Sequence, residues 1–131
     1  MAHQDGRTPL FCAAEEGHKD VVQLLLDRDA EPNMGLPNGW TPLLIAAQEG
    51  HQDLVQILLD RGAEPNMADQ DVWTPLHAAA DEGHQDVVQL LLDGGAEPNM
   101  ADHTGTTPLS YALQRGHMET ANILTENGAT V

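Results

Sequence analysis

Seven histidines, 21 Asp and Glu residues and one cysteine are the groups of this 131-residue chain that could hold a metal or activate a nucleophile. Their spacing argues against both. His18, His51, His84 and His117 each follow a glycine and recur at intervals of 33 residues. Equivalent positions on successive stacked helices lie about 8–10 Å apart, whereas two nitrogens on one zinc, each about 2.0 Å from it, lie within about 4 Å of each other. These histidines cannot share a metal, and they are expected to hydrogen-bond turn backbones between neighbouring units. His77, in a Thr-Pro-Leu-His element, is read the same way, while His3 and His103 fall near loops and read as solvated. Cys12 sits within an apolar helix start and reads as a small core residue rather than a nucleophile. The spacing yields no Ser-His-Asp or Cys-His arrangement and no glycine-rich phosphate loop.

Charge narrows the partners. Five Lys and Arg against 21 Asp and Glu leave a formal net charge of −16, which repels phosphate backbones and anionic headgroups. Nucleic acid and membrane surfaces are therefore poor candidates. Apolar runs such as 43–47 and 90–92 fall far short of the roughly 20 residues that cross a bilayer. The chain reads as soluble. A single cysteine allows no internal disulfide, and the N-terminus lacks the basic and long apolar regions of a secretory signal, so an intracellular location, cytoplasm or nucleus, is expected. Aromatic residues make up only 3 %, which leaves Leu, Val, Ile and Ala to build a core of many small layers.

The elements that must carry these residues repeat. Thr-Pro-Leu begins at Thr8, Thr41, Thr74 and Thr107, and Ala30, Ala63, Ala96 and Ala129 follow at the same 33-residue step, as do Asn33, Asn66 and Asn99. A period of this length signals a stacked array. Four copies, about 3–35, 36–68, 69–101 and 102–131, make one domain over 1–131. Within a copy, Thr41 can cap a helix that starts at Pro42 and ends at Gly50. A second helix runs from about His51 to Asp60, with Leu54, Val55, Ile57, Leu58 and Leu59 as its apolar face and Gly62 beyond its end. Pro, Asn, Asp and Gly then predict short hairpins near 34–40, 67–73 and 100–106. Both helices are shorter than the roughly 12–15 residues that are marginal alone in water, so copies must stack on one another.

Thr74-Pro75-Leu76-His77-Ala78-Ala79-Ala80, followed by Gly83-His84, Val87-Val88, Leu90-Leu91-Leu92, Gly95-Ala96 and Asn99, resembles an ankyrin repeat, and the resemblance covers essentially the whole chain. It implies an all-α solenoid of stacked antiparallel helix pairs with protruding β-hairpin loops. The concave face of hairpins and first helices would then grip another protein, with no catalysis and no cofactor. A monomeric, elongated stack is expected. The resemblance also implies a different role, hydroxylation of Asn33, Asn66 and Asn99 by an oxygen-dependent asparaginyl hydroxylase. Pro32, Pro65 and Pro98 stand before these asparagines where the family has Val, a departure that bears on that role; a proline can sit on the open edge of a hairpin.

Other departures fall at turns and ends. Val72 occupies a position that favours Gly because the turn visits positive φ, and a locally altered turn is expected there. Asp29 replaces a terminating Gly more tolerably. Leu36-Pro37 replaces the usual Asp and its neighbour and is expected to remodel that hairpin. In the fourth copy Thr120, Ala121 and Thr125 replace Val, Val and Leu, and Leu113 replaces an Ala, so that copy reads as a polar terminal cap. The first copy keeps Val21, Val22, Leu24, Leu25 and Leu26, which reads either as a cut from a longer array or as a short array with an imperfect first cap.

Residues 36–68 and 69–101 are identical at 23 of 33 positions. Apart from two apolar exchanges, the differences fall at 36–39, 44, 45, 48 and 61, in the hairpin, along the first helix or at the end of the second. A fixed frame with a changeable surface suits a recognition module and is also the plan of engineered ankyrin libraries; drift at exposed positions would look similar. Trp40 and Trp73, just before Thr-Pro, are candidate binding anchors, or else pack on the adjacent hairpin. Around them Asp71, Gln48, Glu49, Asp81 and Glu82 form a candidate partner surface, with Arg7 and Arg115 at its ends and Glu15, Glu16 and Asp5 extending its acidity. Such a surface steers a basic protein or peptide, or serves only solubility. The two function readings beside a protein-binding module are a consensus-type engineered scaffold with no native partner and the hydroxylation substrate.

Overall fold

A computed structural model of the chain describes residues 6–131. Among the described residues there are eight helices and no strands: α1 (Pro9–Glu16), α2 (Lys19–Asp27), α3 (Pro42–Glu49), α4 (Gln52–Asp60), α5 (Pro75–Glu82), α6 (Gln85–Asp93), α7 (Pro108–Gln114) and α8 (Met118–Glu126). His3 and Asp5, named above, lie outside the described residues.

Each first helix starts the same way. The hydroxyls of Thr8, Thr41, Thr74 and Thr107 accept from the backbone N–H three residues on, at 3.1–3.3 Å, and the proline that follows needs no donor there. Gly50 and Gly83 end α3 and α5 at φ 74° and 75°. A β-carbon on either would sit within 3 Å of the ring of His84 or His117, so these sites need glycine for conformation and for space.

The histidines that open the second helices do not cap them. Instead the Nε2 of His51, His84 and His117 donates to the carbonyl of Glu15, Gln48 and Asp81, at 3.2, 3.0 and 3.1 Å. Each bond ties a second helix to the end of the first helix in the preceding copy, as the 33-residue spacing predicts. His77 joins copies too, through Thr106.

First helices pack in order, α1 on α3 on α5 on α7, and second helices form the other layer, α2 on α4 on α6 on α8. One apolar core runs between the layers from Leu10 to Ala129, with Leu43, Leu58, Leu76, Val88, Leu91 and Leu124 at 1 % exposure or less. Val21 and Leu24 of α2 are about half exposed, at 45 % and 52 %, whereas Leu54 and Val87, equivalent to Val21, are buried against the preceding copy.

Four expectations are corrected. Thr120 is buried because its position faces the preceding copy and Ala121 because its position faces the core between the layers, while Leu113 and Met118 are exposed. The fourth copy is therefore not a polar cap. The loops make no β-strands: each tip is closed by one backbone pair, such as Leu36 to Trp40 and Asp69 to Trp73, too short a ladder to count as strand. The prolines occupy turns rather than hairpin edges. Met34 and Met67 donate to Glu31 and Glu64, which sets Pro32 and Pro65 second in a four-residue turn, where a φ fixed near −65° fits.

The fourth correction is Val72. Its turn is not altered: Asp69 N–H still bonds Trp73 and Val72 N–H still bonds Asp69, as in the neighbouring loops. The valine itself takes φ 58°, and Asp29 likewise takes φ 70°. For a β-branched residue that is a strained conformation. Val72→Gly is expected to raise the unfolding free energy by about 1 kcal/mol, seen as a higher urea midpoint. A lower midpoint would mean that the valine side chain packs more than its partial exposure suggests.

Candidate protein-binding surface

The loop tips and first helices of copies two to four enclose an open cleft of about 430 Å³, lined by Trp40, Trp73 and Tyr111 and by Asp69, Asp71 and Asp102. Gln48 and His103 border it as well. Several of these walls are held by bonds of their own. The Trp40 indole N–H donates to Asp69 at 2.8 Å, and the ring packs with Leu36 against Phe11, Ala14 and Ile45 in a second, smaller apolar cluster.

That cluster explains Leu36. In the third and fourth copies an aspartate stands there, Asp69 or Asp102, whose carboxylate accepts from backbone N–H groups of its own loop. Leu36 gives this up for apolar packing. Asn38 compensates, its side-chain oxygen accepting from Trp40 N–H at 3.0 Å, so the hairpin keeps its closing bonds and is not remodelled.

Trp73 stacks on the His77 ring with centroids 5.2 Å apart and meets Tyr111 edge-on at 5.0 Å. His77 is fully buried. Its Nδ1 accepts from Thr74 N–H and its Nε2 donates to the Thr106 carbonyl, at 3.1 Å each, which fixes one neutral tautomer. Burial holds the imidazole below its ordinary pKa, against the opposing pull of the Thr106 bond and the Asp102 and Asp69 charges. The ring that backs Trp73 is thus uncharged at neutral pH.

Among the described residues Asp102 is the most heavily bonded carboxylate. It accepts from Thr104 N–H and hydroxyl, from Thr106 N–H and from the Tyr111 hydroxyl. Burial alone would raise its pKa; these bonds outweigh burial and hold it well below the usual carboxylate range. The Tyr111 phenol is pushed up in turn, by burial and by that same bond.

The structure thus gathers Trp40, Trp73, Asp71 and Gln48 into one cleft but not the other candidates. Asp81 is paired with Arg115 at 2.9 Å and Glu15 with Arg7 at 3.1 Å, and Glu49, Glu82 and Glu16 are exposed at the ends of first helices. Asn33, Asn66 and Asn99 tie copies together: each side-chain amide donates to a glycine carbonyl of the next copy, Gly62, Gly95 or Gly128, at 3.1 Å. Their oxygens accept from Glu64, Glu97 and Thr130 N–H. Sequence reasoning missed Asp69, Asp102, Tyr111 and His103. Tyr111 occupies the position of Ile45, which already differed between copies and was the available signal.

A family model described as ankyrin repeats (3 copies) matches residues 1–69 and again 62–131. The chain belongs to the ankyrin repeat family. No curated protein matches it. Ankyrin repeats are generally non-catalytic protein–protein interaction modules, and the ankyrin frame here is the set of Thr caps, inter-copy His bonds and Asn ties. Among the described residues no group of His, Cys, Asp and Glu is arranged to hold a metal, and no helix is long and apolar enough to cross a membrane.

Proposed function

We propose that this ankyrin array binds a protein or peptide on the surface formed by its loop tips and first helices, centred on the cleft between Trp40 and Tyr111. One observation carries the reading: residues that differ between copies line this cleft, while the His and Asn bonds that join copies recur at each step. The exchange of Asp for Leu36, offset by Asn38, supports variation kept for a contact surface rather than a plain consensus scaffold. Trp40 and Trp73 are half-buried and already fixed in place, so little side-chain entropy is lost when a partner covers them. The acidic balance favours a basic partner.

A photo-crosslinking residue tests the surface. Placed at Gln48 it is expected to capture a partner in cell lysate that the same residue at Gln56, on the outer helix α4, does not. Capture at Gln56 alone would move the recognition surface to the other layer.

A further inference from the structure

We propose that the cleft between Trp40, Trp73 and Tyr111 is an arginine pocket, a site for one guanidinium side chain of a basic peptide. The proposal rests on the reading that this surface binds a protein, and it names the group that enters.

Three features of the cleft select a cation. Its aromatic walls come from three successive copies, and aromatic faces carry the negative end of the ring quadrupole. Its carboxylates also come from two copies, Asp69 and Asp71 from one and Asp102 from the next, and no Lys or Arg lines it. His77, behind Trp73, adds no charge, since its Nδ1 accepts a backbone N–H.

The carboxylates divide the work. Asp69 and Asp102 spend their oxygens on Trp40, Tyr111 and their own loops, so they hold the walls in place and supply negative potential. Asp71 is different. Its backbone is used, with N–H bonding Asp69 at 2.8 Å and carbonyl accepting from His103 N–H at 2.9 Å, while its exposed side chain stands at the cleft. It is the carboxylate placed to take a charged partner.

Shape separates arginine from lysine. The cleft is open rather than a closed cage, so a compact ammonium would stay hydrated. A planar guanidinium is more weakly hydrated, stacks on an indole face and turns its fork to a carboxylate at the same time. The rings are held before binding, the arrangement in which stacking costs least.

The probe is a short blocked peptide with one central arginine flanked by glycines, compared with its lysine and citrulline counterparts. Binding is read from the indole N–H NMR signals of Trp40 and Trp73, the two tryptophans of the chain. The arginine peptide is expected to shift both signals saturably at low salt, the lysine peptide to bind about tenfold more weakly, and the isosteric but neutral citrulline peptide to leave them unmoved. Asp71→Asn, at an exposed position, is expected to weaken the arginine peptide about tenfold without changing the melting temperature. Equal binding of lysine and arginine, binding of citrulline, or indifference to Asp71→Asn each overturns the arginine pocket. If these peptides fail while a crosslinker at Gln48 still captures a partner, the binding surface stands and only its occupant is wrong; if the crosslinker fails as well, both readings fall.

Discussion

Leu91→Ala is expected to lower the unfolding free energy by about 2–5 kcal/mol, enough to remove a large share of the stability of a small array. Leu91 has no solvent exposure and lies in α6, inside the core that runs through all four copies. Truncation there loses the transfer energy of the side chain and leaves a cavity between layers that can only partly close. The equivalent Leu25 provides the control, because it is only partly buried at the open face of the first copy. Leu25→Ala should cost no more than about half as much. Urea denaturation followed by circular dichroism checks both, and equal losses at the two sites would mean that the first copy is packed as tightly as the interior.

Asp102→Ala is expected to cost at least about 2 kcal/mol at neutral pH. The substitution removes the acceptor of four bonds and leaves the half-buried Tyr111 hydroxyl without its partner. The effect has a definite pH dependence. In the folded chain the Asp102 carboxyl holds its proton less tightly than in the unfolded chain, so below about pH 4 the unfolded state binds more protons. The wild-type advantage is therefore complete at neutral pH and shrinks as pH falls below about 4. A second readout is independent of stability. Tyr111 is the one tyrosine of the chain, so ultraviolet titration reports it alone, and losing Asp102 should bring its raised pKa back toward the ordinary value. A titration unchanged by Asp102→Ala would show that burial alone raises the phenol.

Much of the frame was legible because it depends on local chemistry repeated four times. Thr before Pro caps a helix in all four copies, and Gly before His ends one in the first three. The inter-copy histidine bonds were readable for the same reason, since one residue per 33 at the start of a second helix has the same neighbour in each copy. The loops were less legible. Proline reads as an edge residue or as a turn residue from sequence, and the backbone bond across it decides which. Val72 could be flagged as strained, but only the structure shows that the turn keeps its geometry and the valine adapts, because two backbone bonds and the flanking packing outweigh the preference of one residue.

What the sequence by itself determined is the period, the helix pairs and the stacking order. Tertiary structure alone decided what the variable residues do together. Trp40 joins an apolar cluster shared by the first and second copies and also lines the cleft with the third; Asp69 and Asp102 hold rings from other elements; Asp81, a surface candidate, is instead paired with Arg115. Each of these pairings links positions that differ from copy to copy. A repeat fixes the distance between equivalent sites, but a contact between unlike side chains depends on their directions and on what fills the space between them, and neither is periodic.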